Sequence, residues 1–183
     1  MKTILGILIT TTLLFIWGFL YWGINQIPYS SLKQTANDET TQQIIRDTFP
    51  ESGSYHIPDF RNDPDALSVM FEQGPVGFVH INLEGRPQMD RTIMIKGFLL
   101  NLVVVTLLAI FFRIARAREF MDFVKLSLTV GVIAVVLIDV GDIIWWQTPY
   151  EWKIWQIIYN FSVFVIAGHL LGIFMKKKLD SIL

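Results

Sequence analysis

Apolar residues fall into four long blocks, separated by polar segments of unequal length. Residues 4–27 carry no charge, and further blocks occupy residues 93–112, 126–146 and 154–175. Each reaches the roughly 20 residues that an α-helix needs to cross a hydrocarbon core, so the pattern predicts four transmembrane helices. The first follows Lys2 as a signal peptide would. Its apolar run exceeds the roughly 7–15 residues of a cleaved signal, and its end, WGFLYWGINQIP, has no small-residue cleavage pattern. It reads as an uncleaved anchor.

The long polar segment, residues 28–92, has a different texture. Asn37 stands before Asp38 and Glu39, an N-cap followed by acidic residues in the first turn, and Pro50 bars continuation, which predicts a helix over Asp38–Thr48. Residues 54–57 read as a short strand. Asp63 then caps a second helix with Pro64 at its first position and Gly74 at its close. Residues 75–83, rich in Val, Phe and Ile between Gly-Pro and Gly-Arg-Pro turns, read as a second strand. The expected fold is therefore an all-α membrane bundle of four transmembrane helices, with a small α+β extracytoplasmic domain inserted between helices 1 and 2. Its parts are an anchor over 1–27, the inserted domain over 28–92, and helices 2–4 over 93–183. So small a domain is near the lower limit for a self-sufficient core.

Charge sets the expected orientation. Lys2, Arg113, Arg116, Arg118, Lys125, Lys176, Lys177 and Lys178 lie beside helix ends on one side. The positive-inside rule makes that side cytoplasmic, with both termini on it and residues 28–92 outside. The outer segment carries ten acidic and five basic residues, a formal charge of 5 − 10 = −5. An acidic domain excludes nucleic acid as a partner, since that needs clustered cations. The link RIARAREFMDFVK and the terminal lysines suit anionic lipid head groups. The chain is 52% hydrophobic and has no cysteine, which rules out disulfides and thiolate catalysis. A bacterial cytoplasmic membrane fits this compact plan.

The sharpest chemical signal is LIDVGDIIWW, which puts Asp139 and Asp142 in an otherwise apolar span. The clean run before them, residues 126–138, extends only about 20 Å, so Asp139 must sit at membrane depth. Three residues apart on a helix, the two share a face. Such close carboxylates favour a shared proton or a bound cation. Asn25, Asn101 and Asn160 reach comparable depth in spans one, two and four. Every span thus offers a polar group in the outer half of the bundle, which reads first as interhelical hydrogen bonding, with one shared polar pocket open to the outside as the alternative. In span four Gly168 and Gly172 have the small-xxx-small spacing of a close helix contact, and His169 between them reads as a packing residue.

Other signals are weaker. Asp59, Asp63 and Asp65 lack the spacing, glycine and closing glutamate of a calcium loop and read as caps. His56 and His80, on the two expected strands, are the only metal candidates and fall short of the three or four ligands zinc takes. No GxSxG, HExxH or phosphate-binding loop occurs, and no cofactor is expected. The best functional expectation is a non-catalytic accessory or structural subunit of a larger membrane complex, with lipids and membrane proteins as partners. The alternative is a proton, cation or polar-ligand component built on Asp139 and Asp142.

Overall fold

The computed structural model describes residues 1–176, so Lys177 and Lys178 lie outside the described residues. Four helices are long and apolar enough to cross a membrane: Lys2–Ile24, Arg91–Ile114, Phe120–Trp145 and Tyr150–Met175. The chain divides into two compact units, one made of the four long helices and the other of Lys33–Asp90.

The first long helix is α1, Lys2–Gly18, continued by a π-helical turn Phe19–Ile24. A 3₁₀ turn, Ile27–Ser31, follows and stays with the bundle, burying Pro28. In the inserted unit, α2 spans Asp38–Thr48 as expected, with the Asn37 side chain accepting a hydrogen bond from the Thr40 N–H at 2.8 Å. Strand β1, Gly53–Ile57, pairs antiparallel with β2, Gly77–Ile81, in the register Gly53 to Ile81 and Ile57 to Gly77. The second strand is shorter than residues 75–83 because its partner offers only five residues and Pro75 has no N–H to donate. Between them α3 spans Pro64–Gln73. The Asp63 carboxylate accepts from the N–H groups of Asp65 and Ala66, and Gly74 ends the helix at φ 61°. Removing that cap by Asp63→Ala should cost α3 about 1 kcal/mol, to be read as faster amide exchange over Pro64–Gln73 with α2 unchanged.

The bundle continues with α4, Arg91–Ile114, then α5, Phe120–Ala134. From there the same helix runs through a π-helical segment, Val135–Val140, into α6, Gly141–Trp145. The last helix, α7, is Tyr150–Met175. It lies between α5 and α1, and α4 packs on α1. Phe112 of α4 meets Phe123 of α5 edge-on, with ring centroids 5.2 Å apart.

The tightest core gathers Leu14, Val105, Leu108, Ala109, Phe112, Phe123, Ala167 and Leu171. These sit toward the bundle end where α4 stops and α5 starts. Apolar side chains such as Leu107, Ile133 and Leu137 point outward, as a lipid-facing surface requires. With apolar groups on both sides of each helix, association rests on close packing rather than on removal from water. A β-carbon added at Gly168 would stand 2.6 Å from Ser127 Cβ, and one at Gly131 2.8 Å from Phe164 Cβ. Glycine at both positions lets α5 and α7 approach this closely.

At the opposite end aromatic side chains tie α1 and its π-helical turn to α7. The Tyr21 hydroxyl donates to the Trp155 carbonyl at 2.9 Å, Trp17 Nε1 donates to Ser162 Oγ at 2.7 Å, and Trp22 packs on Trp152 and Tyr159. An aromatic belt of this kind suits the boundary between hydrocarbon and water.

Candidate functional site

Asp139 lies in the π-helical segment, one turn before Asp142. A short turn after Trp146, with Gln147 at φ 50°, reverses the chain into α7. That reversal puts Lys153, in the first turn of α7, against both carboxylates. Its Nζ is 3.2 Å from Asp139 Oδ1 and 2.7 Å from Asp142 Oδ2. Two turns further along α7, Asn160 Nδ2 donates to Asp139 Oδ2 at 2.9 Å. Both oxygens of Asp139 are therefore satisfied.

Burial differs sharply across this cluster. The side chains of Lys153 and Asp139 are 7% and 3% exposed, whereas that of Asp142 is 35% exposed. An ion buried without a partner costs several kcal/mol, and two opposite charges with complete hydrogen bonding offset that cost. The formal sum is one ammonium against two carboxylates, or −1. The π-helical segment is the local feature that accompanies the buried aspartate, and such wide turns inside α-helices are frequent at functional sites.

Lys153 was not legible as a member of the site, and it alters the electrostatics. Reading charge-free runs starts span four at residue 154, one residue too late. The usable signal was its spacing of seven from Asn160, two helical turns on one face. The expectation that the carboxylates drive each other toward a shared proton or captured cation omitted this ammonium, which occupies the position between them.

The other expected members lie elsewhere. Asn25 is half-buried and accepts the Ile27 N–H at 3.1 Å, bracing the turn after the first helix. Asn101 is half-buried on α4, and among the described residues no hydrogen bond joins it to the cluster. A pocket with a polar group from every helix is thus not formed; the π-helical segment, α6 and α7 supply the whole cluster. Depth along a helix was readable from sequence, but not which helices are neighbours.

Gly168 and Gly172 both stand at the α5 contact, where a β-carbon on Gly172 would meet Phe120 at 3.0 Å. His169 is exposed; its Nδ1–H donates to the Val165 carbonyl of its own helix at 2.7 Å, and its ring meets Phe120 edge-on. In the hairpin, His80 Nδ1 hydrogen-bonds Ser54 Oγ at 2.7 Å. His56 Nδ1 donates to the Pro58 carbonyl, and its ring stacks on Phe60. Among the described residues no group of three or more His, Cys, Asp or Glu side chains converges as metal ligands would. Of the three loop aspartates, Asp63 caps α3, and Asp59 pairs with Arg61, whose hydrogen bonds lower the Asp59 carboxyl to about 2.

One atom on the α7 face that carries Lys153 and Asn160 is unexplained by these bonds. Gln156 follows Lys153 by three residues and precedes Asn160 by four, so all three share one face of α7. Its Oε1 is buried with no hydrogen-bond partner among the described residues.

No protein-family model, curated protein or solved structure matches this chain. The functional reading rests on its own geometry.

Proposed function

We propose that the chain is a multi-pass protein of a bacterial cytoplasmic membrane and a non-catalytic subunit of a larger complex. In this reading its termini are cytoplasmic and Lys33–Asp90 is an extracytoplasmic docking domain. One observation carries it. Within Lys33–Asp90, among the described residues, Pro58 alone is buried, while Ile44, Phe60, Val69 and Met89 are each at least half exposed. Burial of apolar area is the main source of stability for a soluble fold, and a unit without such a core gains it from a second surface. The acidic balance of residues 28–92 favours a partner whose apolar patch has a basic rim. The Asp139–Lys153–Asp142 cluster supports the same reading as an internal clamp, since its charges are largely spent on one another.

The test is native mass spectrometry of the full chain extracted from its own membrane in mild detergent. Wild type should travel with a stoichiometric partner, and Ile44→Lys/Val69→Lys should lose it while remaining folded and inserted. A complex untouched by this double substitution, or a wild-type chain that travels alone, rejects the docking role.

A second reading is favoured by Gln156. An unbonded buried oxygen on the same helix face as the lysine of a cluster of formal charge −1 is the donor chemistry of a small cation or proton site. Sodium should then raise the melting temperature of wild type, and Asp142→Asn and Gln156→Leu should remove the shift. Equal shifts in all three chains reject it.

A further inference from the structure

At the bundle end where α4 stops and α5 begins lies a cavity of about 310 Å³. Arg113, Arg116 and Arg118 line it beside Thr3, and Phe112, Phe123 and Met175 supply its apolar wall. Phe112 and Phe123 are fully buried, so the cavity ends on the packed core.

Two observations separate this from an ordinary basic loop. The first concerns charge. Among the described residues no carboxylate makes an ion pair with any of the three arginines. Asp122, four residues from Arg118, commits its Oδ2 to the backbone N–H groups of Arg118 and Glu119, each at 2.9 Å. Asp122 thus organises the start of α5, and neither it nor Glu119 lines the cavity. Three arginines without a carboxylate partner among the described residues thus line a common space.

The second concerns backbone conformation. Helix α4 closes with Arg116 N–H bonded to the Arg113 carbonyl and Ala117 N–H bonded to the Phe112 carbonyl, with Arg116 at φ 56°. In this kind of helix end the left-handed position is usually glycine, because a side chain there is disfavoured. Here it holds an arginine that lines the cavity. The backbone alone gains nothing from that choice; a ligand that needs the guanidinium does.

We infer that this cavity binds a phosphate group. Guanidiniums present paired donors that match phosphate oxygens, and Thr3 adds a hydroxyl donor. The apolar wall favours a phosphate ester carrying a hydrocarbon chain, a phospholipid, over the free anion. This goes beyond the subunit reading and stands without it, since the docking substitutions lie in the other unit.

Native mass spectrometry titrations of the full chain in detergent test it, with dioctanoyl phosphatidylglycerol, dioctanoylglycerol and inorganic phosphate as probes. The expected result is binding of the phosphatidylglycerol well above the uncharged glyceride. Arg116→Gly should weaken it about fivefold, and adding Arg113→Gln should weaken it further. Arg116→Gly relieves the left-handed backbone, so a loss of binding with undiminished thermal stability separates recognition from folding. Lys125→Gln, exposed outside the cavity, should bind as wild type. Equally strong binding of inorganic phosphate, lost in the same arginine variants, keeps the site and assigns it a soluble phosphate. Unchanged phosphatidylglycerol binding in the double arginine variant, or an equal loss in Lys125→Gln, overturns it.

Discussion

Lys153→Met should leave a protein that inserts poorly or melts far below wild type. The substitution keeps the length and apolar stem of the side chain but removes the ammonium that both carboxylates face. Asp139, with 3% of its side chain exposed, would retain only Asn160 as a partner. Breaking a buried ion pair from one side costs about 3–5 kcal/mol, because the remaining charge is neither solvated nor compensated. That is a large share of the about 5–15 kcal/mol by which folded proteins are stable.

The rescue experiment is as informative as the loss. In the triple variant Asp139→Asn/Asp142→Asn/Lys153→Met no charge remains to be buried, and stability should return close to wild type. Asp142→Asn by itself should cost little, since its partly exposed carboxylate is screened. Thermal melts in detergent, read beside abundance in the membrane, check all three. A single Lys153→Met variant as stable as wild type would sink the clamp, and with it the claim that this cluster ties α6 to α7.

The second large effect is expected at Gly168. Its missing side chain faces α5, where an added β-carbon would stand 2.6 Å from Ser127 Cβ and 3.3 Å from the Phe123 carbonyl oxygen. The second of these is backbone and cannot rotate away. Gly168→Ala should therefore push the helices apart and disturb the bond from Ser127 Oγ to the Phe164 carbonyl, 2.7 Å long. Overpacking of this kind costs about 1–3 kcal/mol. Adding Ser127→Gly to Gly168→Ala vacates the space and should recover part of the loss, a coupling that only contacting residues show. Gly97→Ala, which meets nothing within 4 Å, is the matched control. Identical melting temperatures for Gly168→Ala and Gly97→Ala would reject the close contact.

The elements are legible along the chain because each is specified by local chemistry. Four apolar runs long enough to span a hydrocarbon core became four long helices. Asn37, Asp63, Pro64 and Gly74 marked helix ends through hydrogen bonds and dihedral preferences that reach only a few residues. The small-residue spacing of Gly168 and Gly172 pointed to a close contact because it is a property of one helix face.

What meets across space depends on how the helices pack together. Asn25, Asn101 and Asn160 are alike in sequence depth, yet Asn160 alone reaches Asp139, since the order of helices around the bundle is set by packing among all of them. Lys153 was hidden because a charge reads as the end of a membrane segment until a partner appears to neutralise it. The three arginines read as a topology signal along the chain, and they became the wall of a cavity only where four helix ends converge. Local chemistry names the groups, and three-dimensional packing decides which of them share a charge, a hydrogen bond or a void.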